Sequence, residues 1–234
     1  MSLREAVRKA REEGKPIPGG RDWGVGLEEA YRIQEALFPG PLVGYKLGLV
    51  SPAKQAQMGL KSPIYGRVHP GMLLEGVRLS AFLQPRAEPE VALVLKEDLP
   101  PGAPPGEAGR AIGGFFLAVD LLDSVWEGYR FTAAEVVADN ASGGGFLLGL
   151  RRMEAPPRGN LALYLNGRLL SEGPVAALGD PVERLLWLAG TVGGLKAGQV
   201  VFLGSPAPAV PLTEEGTLEV HSEAGVMVAP VRRA

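Results

Sequence analysis

Two glutamates, Glu88 and Glu90, stand two residues apart at the head of the apolar run VALVL. In a strand such a spacing puts both side chains on one sheet face. Carboxylates held together repel each other, and their pKa values rise unless a cation sits between them. A second acidic pair, Asp120 and Asp123, lies in or just after FFLAVDLLDSVW, one of the most apolar stretches of the chain. An ionised carboxylate in such surroundings is costly unless it is paired or metal-bound. The glutamate pair taken alone reads as a solvated strand end; adding one buried aspartate turns it into an all-oxygen donor set. That set suits a hard cation, Mg²⁺ or Mn²⁺, which retains several waters. Lys46 is a lone cation within the apolar segment VGYKLGLV. It reads either as a snorkelling or ion-paired lysine, or as a positive charge aimed at an anionic substrate beside the metal.

Other chemistries are excluded by what the chain lacks. There is no cysteine, and His69 and His221 have no partner motif around them, so both read as surface or strand-end residues and zinc is disfavoured. No G-x-S-x-G occurs, and the run Gly143–Gly145 lacks the Lys-Ser/Thr ending of a phosphate loop. Gly24-x-Gly26 has Glu29 where a dinucleotide fingerprint needs its third glycine, and it follows no convincing strand. Lys and Arg number 24 against 26 Asp and Glu, a net charge of -2, which argues against nucleic acid as a partner. No apolar run approaches the roughly 20 residues that cross a membrane. MSLREAVRKAREEGK lacks the apolar core of a secretion signal, so a cytoplasmic protein is the expectation.

The elements that must position these residues follow from periodicity. Leu3, Ala6, Val7 and Ala10 fall on one helix face closed by Gly14. Leu27, Ala30, Tyr31 and Gln34 make a second such face, stopped by Pro39 and Gly40. LVGYKLGLV reads as a strand, and Ser51 followed by Pro52 opens a short helix that ends at Gly59. EVALVL, GGFFLAVDLL, LALYLNGRLL, QVVFLG, GTLEVHSE and GVMVAPV read as strands, with Asn166–Gly167 a hairpin turn. Thr132 with Glu135, and Asp180 with Glu183, predict helix-opening capping boxes. The fold class is therefore α+β, a helical N-terminal part on a large curved β domain. Pro70 and Gly71 suggest a division into residues 1–69 and 70–234. Asp139 and Asn140 read either as residues that orient the site or, the preferred reading, as the end of a helix.

Taken in order, GYKLGLVSPAKQAQMGLKSPIYG, PRAEPEVALVL, AVDLLDS, VVADNAS and the GSP at Gly204–Pro206 resemble the 2-keto-4-pentenoate hydratase and 4-oxalocrotonate decarboxylase group of the fumarylacetoacetate hydrolase superfamily. The resemblance runs from about Tyr31 through nearly the whole chain. It implies a β-rich roll holding one divalent ion, in enzymes that assemble as homo-oligomers and can associate with a hydratase subunit. Glu88 and Glu90 match the E-x-E metal motif, and Asp120 stands where the hydratases carry a third acidic ligand, often glutamate. Lys46 matches the active-site lysine, and Ser205 lies in a loop that lines the substrate pocket in relatives. The hydratases typically have an acid before the aromatic of P-D-Y/F-G, whereas this chain reads Pro63-Ile64-Tyr65-Gly66, as in the decarboxylase branch. Ile64 and Tyr65 are thereby implied to meet the substrate. A carboxylate at position 64 would repel the far carboxylate of a dioate such as 2-oxohex-3-enedioate, while isoleucine leaves it poorly solvated and favours its loss as CO₂. Water addition instead needs a proton carrier, and Ile64 offers none. The resemblance thus implies a decarboxylase, with a hydratase and a non-catalytic partner of a hydratase as alternatives.

Overall fold

The N-terminal helices form as their apolar spacing dictates. In the computed structural model, which describes residues 1–234, α1 (Leu3–Glu13) buries Leu3, Ala6, Val7 and Ala10, and Ser2 with Glu5 closes a capping box at its start. α2 (Leu27–Leu37) buries Ala30, Ile33 and Gln34. The expected strand follows as β1 (Gly44–Gly48), then α3 (Pro52–Gln57) capped by Ser51, and β2 (Ile64–Val68). Two short strands, β3 (Leu73–Leu74) and β4 (Val77–Arg78), precede the long hairpin partners β5 (Arg86–Leu95) and β6 (Ile112–Leu122), between which lies α4 (Pro105–Ala111). α5 (Ala133–Ala138) carries the expected Thr132–Glu135 capping box. It leads to β7 (Gly143–Leu148), and then to β8 (Asn160–Leu165) and β9 (Arg168–Pro174). Asn166 and Gly167 join β8 and β9 with φ of 53° and 75°, as a two-residue hairpin turn requires. α6 (Pro181–Val192), β10 (Val200–Phe202), β11 (Val210–Pro211), β12 (Gly216–Ser222) and β13 (Gly225–Arg232) complete the chain.

Three local details differ from the sequence expectation. α4 forms from PGEAGRA, whose Ala108 and Ala111 are buried, so packing overrides a composition rich in glycine and proline. β7 begins in the glycine run, because Gly144 and Gly145 are pressed against Asp123, Leu74 and Phe82 where no side chain fits. Asp180 caps α6 by accepting from the Val182 amide, without the reciprocal bond from Glu183.

The larger sheet has the order β2-β1-β10-β5-β6-β7-β3 with β11 also on β5, and the smaller is β4-β13-β12-β8-β9. The division suggested at residue 70 runs through the larger sheet, since β1 pairs in parallel with β10 and β10 pairs with β5. One face of the larger sheet packs on the smaller sheet, with Val91, Leu93 and Val201 against Leu161, Leu163 and Leu218. α1, α2 and α5 form a separate layer over Ile64, Val125 and Trp126. No helix is long and apolar enough to cross a membrane.

The two ends of the larger sheet are tied together at a seam. β2 is one edge of the larger sheet, and the turn Asn140–Ser142 leads directly into β7 near the other. Asn140 Oδ1 accepts from the Arg67 amide at 2.7 Å, and its Nδ2 donates to the Arg67 carbonyl at 2.9 Å. A side-chain amide thus stands in for a missing ladder partner and draws the edges together. Asn140, Ala141 and Ser142 have φ of 53°, 52° and 57°, three successive non-glycine residues in the left-handed region. Left-handed helical geometry costs roughly 1–2 kcal/mol per residue, so surrounding contacts must over-determine the turn.

Those contacts centre on Arg11 of α1. Its guanidinium donates to Asp139 Oδ1 at 2.7 Å, to Asp123 Oδ2 at 3.0 Å and to the Asp123 carbonyl at 2.7 Å. Asp139 also accepts from the Val125 amide, and Asp123 from the amides of Leu83 and Gln84. Asp139 therefore does more than end α5, because it ties the helical layer to the sheet. Removing one partner of a buried ionic network leaves uncompensated charge at a cost of about 3 kcal/mol or more. Arg11→Ala is expected to lower unfolding free energy by about that amount in urea titrations; a loss well under about 1 kcal/mol would contradict the role given to Arg11.

Candidate metal centre

Register brings the three acids together. Glu88 and Glu90 flank Pro89 on β5, and Glu88 lies directly across the antiparallel ladder from Asp120 on β6. Strand alternation then places all three on one face. One carboxylate oxygen from each lies within 4.8 Å of the others. Glu90 and Asp120 are fully buried, and Glu88 is partly exposed.

Lys46 joins them through the curl. In a flat sheet β1 and β6 would be three strand spacings apart, about 14 Å. Here Lys46 Nζ lies 2.6 Å from Asp120 Oδ2. The lysine stem passes over Gly66, where a Cβ would sit 3.1 Å from Lys46 Cγ and 2.5 Å from the Asn140 carbonyl oxygen. Glycine at 66 is what lets β2, the turn and the lysine approach so closely. Phe202 is in register with Lys46 and Phe146 with Asp120. Their ring centroids are 4.5 Å apart, and with Ala92 and Ala118 they make an apolar floor beneath the charges.

Three carboxylates against one ammonium leave the cluster short of positive charge. Burial, and then the charge of Asp120, pushes the Glu88 carboxyl up to about 7. Burial, Asp120 and Glu88 push Glu90 well above the usual carboxylate range. Burial also raises Asp120, against the pull of Lys46. For Lys46 burial alone would favour the neutral amine, but Asp120, then Glu88, hold its pKa above the ordinary value. Glu90 Oε2 accepts from the Gly204 amide at 3.1 Å, whereas Glu90 Oε1 and Asp120 Oδ1 are buried with no hydrogen-bond partner. Such orphaned oxygens cost about 1–3 kcal/mol or more each. Buried oxygen donors in excess of the available protons fit a hard divalent cation, with Glu88, Glu90 and Asp120 as the residues that could hold it.

The remaining candidates divide sharply. Ile64 is 2% exposed and lies on the Lys46 face of the sheet, against Gly48 of β1. Tyr65 alternates to the opposite face, stacks on Tyr31 at 4.3 Å and meets Tyr45 edge-on. Its ring is part of the packing and points away from the carboxylates. The Ser205 hydroxyl ties its loop to β5: its single proton is placed between the Pro89 carbonyl at 2.8 Å and the Ala207 carbonyl at 2.9 Å, and its oxygen accepts from the Ala207 amide. It thereby fixes the loop that delivers the Gly204 amide to Glu90. Asp123 takes part in the Arg11 network and in no contact with the three acids. His69 lies against the Pro41 carbonyl and His221 against Glu219, both outside the cluster. Sequence reasoning missed Asn140 as a clamp and Gly66 as a clearance. It also passed over Ser142, whose hydroxyl is buried without a partner. The signal was the run VADNAS itself, since three polar or small residues after a helix invite an unusual turn.

No family model matches the sequence. A 4-oxalocrotonate decarboxylase from a Pseudomonas species is 32% identical over 227 residues, spanning 90% of this chain and 89% of the relative. A 2-keto-4-pentenoate hydratase from Burkholderia vietnamiensis is 32% identical over 244 residues, spanning 94% of this chain and 92% of the relative. The chain belongs to the 4-oxalocrotonate decarboxylase and 2-keto-4-pentenoate hydratase family. Both named reactions are eliminations or additions at carbon, so an enzyme of the lyase class is established while the choice between them is open. Within this family, 4-oxalocrotonate decarboxylase from Pseudomonas putida G7, complexed with magnesium and adipate, superposes with a TM-score of 0.86 at 29% identity, covering 98% of this chain and 95% of that one. A fumarylacetoacetate hydrolase family structure from Yersinia pestis CO92 shares the fold alone, at 16% identity and a TM-score of 0.62 over 83% of this chain and 95% of that one.

The raised carboxyl pKa values carry a sign. An acid whose folded pKa lies above its unfolded value stabilises the fold at low pH, and that contribution is lost as pH rises through the folded pKa. For Glu88 the window runs from the ordinary value of 4.5 to about 7. In chelator, the thermal midpoint should therefore fall from pH 5 to pH 8 through this cluster. Added Mg²⁺ should raise it, and more at pH 8 than at pH 5, because a cation competes with protons for the same oxygens. Scanning calorimetry with and without Mg²⁺ checks this; an equal or larger Mg²⁺ effect at pH 5 would contradict it.

Proposed function

We propose that the protein is a divalent-metal-dependent decarboxylase acting on 2-oxohex-3-enedioate in the degradation of aromatic compounds by meta-cleavage. The observation that carries the choice is Ile64, a buried apolar side chain on the same sheet face as Lys46. Decarboxylation needs an electron sink at the keto end of the substrate and poor solvation at the departing carboxylate. Water addition needs a titratable group to move a proton, and position 64 supplies none.

Glu88, Glu90 and Asp120 would hold Mg²⁺ or Mn²⁺, which when bound supplies a Lewis acid for the oxygens of an α-keto acid. Lys46, kept protonated by the surrounding acids, attracts the anionic substrate and stabilises the negative charge that develops on the 2-oxo oxygen. The bond between C5 and C6 breaks, C6 leaves as CO₂, and the bonding pair moves through the conjugated chain onto that oxygen. Protonation at the oxygen gives 2-hydroxypenta-2,4-dienoate, and protonation at C3 gives 2-oxopent-4-enoate. The Phe146–Phe202 floor excludes water from beneath the reacting end, which strengthens each electrostatic contact. Ile64 leaves the distal carboxylate without a hydrogen-bond donor. Tyr65 and Ser205, placed in the substrate pocket by resemblance, act here through packing and loop geometry. The reading includes a homo-oligomer and association with a hydratase subunit. The adipate bound by the solved relative is a six-carbon dioate, the length of the proposed substrate.

A hydratase acting on 2-oxopent-4-enoate or 2-oxohept-4-ene-1,7-dioate is the second reading. It is favoured by the hydratase relative of equal identity.

Parallel assays for CO₂ release and for water addition, each with its own substrate, separate the two. The proposal expects CO₂ release, lowered about 100-fold by Ile64→Asp and about 1,000-fold or more by Glu90→Gln. Hydration without CO₂ release would transfer the assignment to the hydratases. Turnover of neither substrate, with tight binding to a hydratase subunit, would leave a non-catalytic partner. Full activity in Glu90→Gln would remove the metal role.

A further inference from the structure

On the smaller sheet, β13 turns Val226 and Val228 outward, 52% and 60% exposed, while Ala229 and Val231 point inward. Beside this strand runs an apolar groove of about 600 Å³, floored by Leu117, Leu147, Met227 and Ala229. Leu150 stands at its rim completely exposed, and Leu73, near its far end, is 37% exposed. None of Lys46, Glu88, Glu90 or Asp120 lines it. An open apolar surface of this kind marks an interaction site more often than a bare exterior.

Charge identifies the occupant. Arg151 lies at the Gly225 end of β13, its Nη1 2.8 Å from where a Gly225 Cβ would sit. Glu75 lies at the other end, where the next residue, Gly76, abuts Pro230 with its Cβ position 2.8 Å from Pro230 Cγ. Gly225 and Pro230 are five strand residues apart, about 17 Å. Arg152 is already bridged to Glu154 at 2.6 Å, but Arg151 and Glu75 form no ion pair within the chain. The groove therefore has an unpaired cation at one end and an unpaired anion at the other.

We infer that a second copy of this chain docks in the groove about a two-fold axis near Val228. A two-fold axis there reverses strand direction, so Arg151 of each copy meets Glu75 of the other, an isologous contact. The same operation carries Leu150, beside Arg151, onto the Leu73–Leu74 end of the other copy's groove. Val226 and Val228 cover their symmetry mates between the two ion pairs. This gives the homo-oligomer of the proposed function its contact face, and rests on that part of the reading alone.

Analytical ultracentrifugation of the full chain tests it, with Leu150→Asp, Arg151→Glu, Glu75→Arg and the double charge swap. Leu150 is fully exposed, so its substitution leaves the fold of one chain untouched, which circular dichroism verifies. The wild type should sediment as at least two 24.6 kDa chains. Leu150→Asp and each single charge reversal should weaken the assembly at least about tenfold in dissociation constant, and the double swap should restore it. A wild-type monomer, including one that takes up a hydratase subunit instead, would overturn both this face and the homo-oligomer. An oligomer indifferent to Leu150→Asp, or charge reversals that the double swap does not rescue, would overturn the face and leave the homo-oligomer standing.

Discussion

Three carboxylates sharing one largely buried pocket with a single ammonium is the constraint from which the rest of this structure follows. Glu88 and Asp120 are direct cross-strand neighbours, and Glu90 is the next residue on the same face. Like charges so placed destabilise a ladder, and Lys46 relieves only part of the repulsion. The raised carboxyl pKa values and the orphaned oxygens of Glu90 and Asp120 are two expressions of one shortage of positive charge. A divalent cation is the simplest supply of it.

The fold serves that cluster by bending. Lys46 sits three strands away from Asp120 in the sheet order, and only a strongly curled sheet lets its ammonium arrive. The curl is held at the seam by Asn140, at the price of a left-handed turn, and the turn is anchored through Asp139 to Arg11 on the first helix. A helix whose sequence looks like surface covering is thereby part of the support for the site. Gly66 completes the arrangement by having no side chain where β2, the turn and the lysine stem converge.

Much of this was legible in the residues. The carboxylate trio was readable because period-two alternation and an acid in an apolar run are local signals. The first two helices and most strands followed from spacing and punctuation. Lys46 was recognisable as an oddity, but its partner was not, because a contact created by sheet curvature leaves no trace in local spacing. The same holds for Asn140, which reads as a helix end until its amide is seen on Arg67, and for Arg11. Tyr65, implied by the resemblance to meet the substrate together with Ile64, shows what a motif match does not carry: strand alternation sends the two side chains to opposite faces. Proline and glycine in PGEAGRA concealed α4, whose stability comes from what it packs against.

Membership of a family whose members either remove CO₂ or add water leaves the central claim resting on the shared machinery, the hard-cation site. Isothermal titration of the chelator-treated protein with Mn²⁺ near pH 7, repeated in buffers of different ionisation enthalpy, reads that site most directly. The account predicts one ion per chain, protons released on binding as the raised carboxyls give them up, and loss of the site in Asp120→Asn. Absence of saturable binding, or unchanged binding with no proton release in that variant, would contradict it.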